Sequence, residues 1–401
     1  MKFMNNKGNV AVITALSMPI LIGGAGLGVE TGYWYYEQLH LQQAADAAAY
    51  AAALEHYQGN TSEMLSSATA AAQANSYTST TDTIAMANPS ATYPSDQRTV
   101  DVTLTRDIPR AFTAIFNDTP IHVIVKATAK YEPSSTACML AMSKSASNAL
   151  SVAGNAGVNV SGCILSSNSL SPSAVNTQGS ASVTVPCISS AGGATLNSGT
   201  HLTECDSALT GQIPVADPYK DVPLPTPGTC KNWENNAQHT PGTYCASGIS
   251  MNGRNHTFAA GTYIFNGTDV TVNGGNGAGM TCTGGCTFVF LNGGTISMNG
   301  TPTINIQAPT TGTYAGMLFM GDRTGTPETN TFNGDAASKM TGTIYFPNDD
   351  VQYNGNFSGF NGCTQVVANT IQWSGNTSVS VDCTAYGMGK IQVGGRPYLV
   401  G

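Results

Sequence analysis

The chain has 401 residues, enough for two or three domains of ordinary size. Only 9% of them are charged, with 15 Lys and Arg against 23 Asp and Glu and a net charge of −8. That sparse, acidic balance leaves no basic stripe for nucleic acid, and it excludes a charge-driven disordered chain and a long soluble coiled coil.

The first predicted element is a membrane anchor. Gly8 to Val29 is a run of 22 uncharged residues, GNVAVITALSMPILIGGAGLGV. As a helix rising ~1.5 Å per residue it spans roughly 33 Å, the thickness of a bilayer's hydrocarbon core. Lys2 and Lys7 precede it, and Glu30 and Glu37 follow. The lysine bias places the short amino terminus in the cytoplasm and the bulk of the chain across the membrane. A cleaved signal peptide is the rival reading, but its apolar region is ordinarily about 7–15 residues. Gly24 and Gly28 form a small-xxx-small pair that permits close helix packing. Tyr33, Trp34, Tyr35 and Tyr36 make an aromatic belt where the helix leaves the bilayer. Gln38 to Glu55 is almost all Ala, Leu and Gln, strong helix formers. Its slender surface suits packing against another helix; the alternative is an exposed stalk.

Four stretches of this region carry a resemblance: Gly8-Asn-Val-Ala-Val12, Ala15-Leu-Ser-Met-Pro19, Gly26-Leu-Gly-Val-Glu30 and Leu41-Gln-Gln-Ala-Ala-Asp46-Ala-Ala-Ala49. Together they resemble the bacterial Flp (tight-adherence) pilus-assembly family, TadG-like branch, over about 55 residues. The resemblance implies an acidic residue at Glu30 and a Leu-Gln-x-Ala-x-Asp-Ala-Ala signature containing Asp46. Glu30 and Asp46 thereby join Gly24 and Gly28 as helix-packing candidates. It also implies other pilus-assembly proteins as partners through this helix, beside the lipid bilayer itself. Arg98-Thr-Val-Asp-Val-Thr-Leu104 and Val123-Ile-Val-Lys-Ala-Thr-Ala129 are similar to the strand-rich portion that follows in that family. Prepilin-like relatives carry a glutamate five residues after a processing glycine; counted from Gly8, that position here is Ile13.

Residues 58–136 read as a small α+β module. A polar helix runs to about Ser76, and Val100/Val102/Leu104 and Ile121/Val123/Val125 alternate as two period-two strands. A short turn of helix, Ala111 to Phe116, is expected between them. Tyr131 to Thr136, with Pro133, marks the boundary.

All ten cysteines lie from Cys138 to Cys383. An even number confined to one part of the chain predicts disulfides in an oxidising compartment. Consecutive pairing is the most economical: Cys138–Cys163, Cys187–Cys205, Cys230–Cys245, Cys282–Cys286 and Cys363–Cys383. A metal site would start from Cys282 and Cys286, but no second pair matches them and the nearest histidine in sequence is His256.

The same region repeats. Ala149–Val160 aligns with Ala174–Val185 at an offset of 25, and Gly242-Thr-Tyr-Cys245 recurs as Gly261-Thr-Tyr-Ile264. Through it run apolar-polar-apolar triplets: Val270-Thr-Val272, Ile296-Ser-Met298, Ile304-Asn-Ile306, Ile344-Tyr-Phe346, Val351-Gln-Tyr353, Ile371-Gln-Trp373, Val379-Ser-Val381 and Ile391-Gln-Val393. Asn-Gly or Ser-Gly follows several of them, as at Asn273, Asn299, Asn354 and Ser374. A triplet is a very short strand with two side chains in and one out, and Asn-Gly accepts the positive φ of a sharp turn. Spacings of 7–8 residues between triplets and 19–25 between longer repeats fit three short faces per coil. The prediction for 137–401 is a right-handed parallel β-helix, with a Pro-rich excursion or seam near 214–227. An antiparallel sandwich is the rival, though its strands would ordinarily run to about five or six residues. The fold expected is mainly β: anchor and Ala-rich helix over 1–57, module over 58–136, β-helix over 137–401.

No catalytic, cofactor or metal residue is expected. Asp322 with Arg323 and Asp349 with Asp350 are the only candidates for a polysaccharide-active face or a calcium site. His40, His56, His122, His201, His239 and His256 show no ligand spacing, and no nucleotide loop or nucleophile elbow is present. The reading is a single-pass inner-membrane protein whose bulk is periplasmic or surface-exposed, a non-enzymatic component of Flp-type pilus assembly. The alternative is an adhesin whose outward Thr271, Ser297, Gln352, Gln372 and Gln392 touch a glycan or surface.

Overall fold

The computed structural model describes residues 7–132, 134–235, 237–275, 277–335, 337–354, 362–380 and 383–400. Lys2, Pro133, Gly355 and Val381, which entered the sequence reading, lie outside them. The chain divides into two compact units, Met1–Glu132 with Arg396–Gly401, and Pro133–Gly395.

The first unit is built on α1 (Lys7–Tyr57), a helix of 51 residues and roughly 76 Å. α2 (Met64–Gln73) follows, then β1 (Asp82–Ala87), β2 (Thr99–Ile108) and β3 (Ile121–Tyr131). The sheet order is β1-β2-β3 and then the C-terminal strand Pro397–Leu399, all antiparallel. No pattern in the sequence marks β1, and the last strand, expected within the solenoid over 137–401, instead completes this sheet. Alternation in β2 and β3 turns Val100, Val102, Leu104, Val125, Ala127 and Ala129 toward one core. On α1, Leu41, Ala44, Ala45, Ala48, Ala49, Ala52 and Ala53 recur at helical spacing and are fully buried in the same core with Met64, Ala68 and Ala72 of α2. The alanine stripe therefore meets another helix only in part: α2 covers some of it, and β2 and β3 cover the rest. Side chains of one carbon let the helix lie close against the sheet.

The second unit is a parallel β-solenoid with three faces: the first contains Ser135–Ala141, the second Leu150–Val152, and the third Gly157–Ser161 and Gly279–Cys282. Strands of one coil lie directly over those of the next, as in Val270↔Ile296 and Val272↔Met298, or Val351↔Ile371 and Tyr353↔Trp373. The offset of 25 read from sequence is the observed stacking of Leu150 on Val175 and Val158 on Val183. The Gly242 and Gly261 repeats stack differently: Gly242 faces Tyr263, two residues beyond the expected partner. Aromatic rings line the interior in columns, with Tyr263 over Phe288 over Phe319 and Phe265 over Phe290. At Gly342, φ of +141° turns the long strand Lys339–Phe346 from the third face into the first. A Cβ there would stand 2.7 Å from that of Ala308.

Coil order does not follow chain order. The first strand, Ser135–Ala141, lies inside the stack, with Ile164–Ser167 on one side and Thr364–Ala368 on the other. Three coils wind away from it to Ile188–Ser190. The chain then crosses to the far end, to Cys230–Lys231, and winds back until Thr364–Ala368 meets the first strand. The Pro-rich stretch makes that crossing as a strap over the first face. Asn168 holds its start, with Val215 N donating to Oδ1 and Nδ2 donating to Val215 O, each at 2.7 Å. Gly228 N donates to Thr243 Oγ1 at its end. Seven inter-strand steps separate Ile164–Ser167 from Gly242–Tyr244, roughly 34 Å at ~4.8 Å each. Residues 215–228 at ~3.1 Å each in polyproline geometry reach about 40 Å. Prolines suit such a path because a strap outside any ladder has few partners for N–H groups.

Beneath the strap, outward residues of the first face are apolar: Leu140, Ile164, Ile264, Val289, Met320, Tyr345 and Val367 form a second buried layer. Tyr345, expected to face outward from its triplet, is thus fully buried. Its hydroxyl donates to Asp217 Oδ2 at 2.6 Å and accepts from Arg323 Nε at 2.9 Å. Burial pushes the Tyr219 phenol up to about 12, so it stays a donor, to Gln365 Oε1 at 2.7 Å. The ten cysteines form five disulfides, each between neighbours in sequence: Cys138–Cys163, Cys187–Cys205, Cys230–Cys245, Cys282–Cys286 and Cys363–Cys383.

Candidate functional site: the bare helix and the polar face

Two surfaces stand out, one in each unit. On α1 the residues from Val12 to Val29 are exposed or half-exposed, with Gly26 meeting a ring of the loop after β2. Val12, Ile13, Leu16, Ile20, Leu21, Ile22 and Val29 are all exposed, and the helix is long and apolar enough to cross a membrane. Pro19 lies within it, as membrane helices tolerate.

The bare segment ends at Glu30, whose carboxylate is buried. Its Oε1 accepts from Ala111 N at 2.6 Å and its Oε2 from Thr113 N at 2.8 Å. The loop after β2 is therefore tied to the helix at this level, and Thr113–Ile115 makes one turn of 3-10 helix there. A turn higher, Arg110 lies over the Trp34 ring at 5.4 Å. Higher still, Arg106 sits between Asp82, its cross-strand partner, and Glu37 of α1, at 2.7 and 2.6 Å. Burial raises the Asp82 carboxyl, but the Arg106 guanidinium and Thr78 N outweigh it and hold the group below its ordinary value.

The four helix-packing candidates separate here. Glu30 turns onto the chain's own loop, and Asp46 accepts from Gln42 Nε2 on the same helix, which also donates to Lys126 O of β3. Gly24 and Gly28 look into open space; a Cβ on either would meet nothing within 4 Å. Gly26 is the glycine in contact, against the Phe112 ring.

The second surface is the second face of the solenoid, nine strands wide. Its outward positions are in register as one row: Ser250, Thr271, Ser297, Thr331, Gln352, Gln372, Ser151, Asn176 and Thr195. Thr271, Ser297, Gln352 and Gln372 were expected to face outward and belong to it. Gln392 does not: its strand pairs antiparallel with Ser135–Ala141 on the first face. The row is uncharged, and an asparagine ladder, Asn252, Asn273 and Asn299, borders it.

The acidic candidates are each bound into the coil structure. Arg323 Nη2 donates to the strap carbonyls of Tyr219 and Val222, and Asp322 Oδ2 accepts from Gly293 N at 3.3 Å. Asp349 Oδ1 accepts from Glu328 N, and burial pushes its carboxyl up. Asp350 Oδ1 accepts from Asn369 and Thr370 of the next coil. Cys282 and Cys286 are disulfide-bonded, which removes both thiolates as ligands. Among the described residues no three His, Cys, Asp or Glu side chains are placed to hold a metal ion. The solenoid does bring His239 and His256 together, Nε2 to Nδ1 at 2.9 Å, with Trp233 stacked on His239. Their 17-residue spacing, close to one coil, was the signal for it.

No curated protein and no solved structure matches the chain. Residues 8–55 match a family described as Putative Flp pilus-assembly TadE/G-like. The match begins at residue 8, ahead of the bare segment, and runs just past the buried alanine stripe; a Tad domain on a single long apolar helix fits a single-pass, Flp pilus-related membrane protein.

Proposed function

We propose that the chain is a non-enzymatic structural component of Flp-type pilus assembly, anchored in the bacterial inner membrane with its bulk in the periplasm. One observation carries this reading: the family match lies on a helix exposed or half-exposed over Val12–Val29 and buried over Leu41–Ala53. The lower half is free for lipid and for other membrane helices, and the upper half holds a folded unit just beyond the membrane. Orientation follows from lysines before the span and glutamates after it. Five disulfides agree with an oxidising compartment on the far side. The acidic groups weighed for catalysis accept hydrogen bonds from neighbouring coils, and Arg323 is occupied by the strap, which supports a scaffold rather than an enzyme.

The polar row on the second face favours one alternative, an adhesin that binds a glycan. Purification from membranes, after photo-crosslinking from Ile20 or Leu21, separates the two. Recovery of pilus-machine membrane proteins supports the scaffold. Removal of the solenoid by protease added to intact cells, with no crosslinked membrane partner, overturns it in favour of the adhesin.

A further inference from the structure

The twelve residues between Ile108 and Ile121, which face each other at the end of the β2–β3 ladder, extend along α1 toward the bare segment. Two contacts fix the direction. Glu30 takes the N–H groups of Ala111 and Thr113, and the Phe112 ring lies on Gly26, where a Cβ would stand 2.6 Å from it. Gly26 is eight residues before Trp34, so Phe112 sits roughly 12 Å nearer the bilayer centre than that belt residue. Beyond it, Ile115 and Phe116 are 81% and 82% exposed, unusual for side chains of this kind. Phe112 also shares an open apolar groove with Ile22, Ala25 and Val29, so loop and helix make one continuous apolar surface. Asp118 is the one charge from Ala111 to Pro120.

We propose that this loop is a second membrane contact: Phe112, Ile115 and Phe116 insert into the outer leaflet of the bilayer beside α1. The occupant is lipid because the loop's apolar tip adjoins the lipid-facing part of the helix at the same depth. The lone carboxylate of Asp118 has to remain among the headgroups, which limits its neighbours Ile115 and Phe116 to the interfacial region, about 5–10 Å deep. The arrangement fixes the rotation of α1 about its own axis, since one side of the helix is always the loop side. This inference rests on the reading of α1 as membrane-spanning.

The test uses the full chain in proteoliposomes of lipid alone, with Phe116→Trp and, separately, Ile20→Trp. Each added fluorescence is read against the parent. Ile20→Trp, quenched by lipids brominated near the chain end, reports the span. Phe116→Trp is expected to lose about half its added fluorescence to lipids brominated near the headgroup and less to those brominated deep, as interfacial depth requires. Quenching at Ile20 without quenching at Phe116 overturns the inference and leaves the anchor standing. A loop that waits for a protein partner gives that same result. Quenching at neither position overturns the anchor, and the inference with it. Because Phe116 is exposed, the substitution leaves the fold intact, and Phe112→Trp at a half-buried position repeats the reading.

Discussion

Arg106→Met removes the charge that links β1, β2 and α1. The guanidinium makes four hydrogen bonds. Nε and Nη2 grip both oxygens of Asp82 at 2.9 and 2.7 Å, Nη1 reaches Glu37 at 2.6 Å, and Nη2 reaches Ser76 O at 2.6 Å. Asp82 is its cross-strand neighbour and has no exposed side-chain surface. Breaking a buried pair from one side ordinarily costs about 3–5 kcal/mol, because the remaining charge is left uncompensated. Asp82 keeps Thr78 N at 2.8 Å and Thr81 Oγ1 at 3.2 Å, so the lower end applies: about 3 kcal/mol, or roughly 150-fold in the opening equilibrium. The assay is hydrogen exchange at the Val102 and Leu104 amides, with the full chain in lipid nanodiscs. The pH dependence has a definite sign. The folded Asp82 value lies below the unfolded one, so the pair's stabilisation is fully present above about pH 4 and fades as pH falls through the folded value. The gap between parent and variant must therefore narrow in acid. Arg106→Met/Asp82→Asn should recover more than about 1 kcal/mol of the loss, since the fully buried charge is no longer stranded and only the partly exposed Glu37 loses its partner. A loss under about 1 kcal/mol at neutral pH, or one unchanged in acid, would refute the reasoning.

Disulfide removal should follow loop length. Replacing Cys138 and Cys163 by Ala, separation 25, should cost about 3.5 kcal/mol, and replacing Cys282 and Cys286, separation 4, about 2. Thermal midpoints by circular dichroism in the reverse order would contradict the chain-entropy account. Among glycines, Gly193→Ala should be the harsher change, because its Cβ would stand 2.0 Å from Pro172 O of the adjacent coil and the backbones would have to part. Gly154→Ala, at φ +73° in open space, should cost only about 1 kcal/mol; equal midpoints for the two would refute that ranking.

What the sequence revealed was local. Triplets such as Ile296-Ser-Met298 with a following Asn-Gly specify a narrow coil, because two-residue alternation and the φ of +70° at Gly300 act within a few residues; after Val270-Thr-Val272 the expected positive φ is not found at Asn273 or Gly274. Neighbouring cysteines pair because each separation is near one coil or less. What it withheld was order in space. Nothing near Thr364 marks it as the neighbour of Cys138-Met-Leu-Ala141, a contact that only the strap's route creates. The strap left a trace that was open to reading: Phe288-Val-Phe-Leu291 and Met317-Leu-Phe-Met320 are apolar at every position, the mark of strands buried on both sides. On the anchor, Gly24 and Gly28 drew attention by motif, whereas Gly26 is the one touched. Spacing alone cannot say which side of a helix a distant loop will reach.

The late partner of the strand Ser135–Ala141 has a consequence for biogenesis. Leu140 waits for Val367, 227 residues away (367 − 140), so a mostly nearest-neighbour architecture contains one closure of very high contact order. If the chain emerges amino end first on the far side of the membrane, the three early coils are held there with a raw β-edge until the last coil arrives to seal it. Over that interval a chaperone, or a stray strand from another chain, competes for the edge.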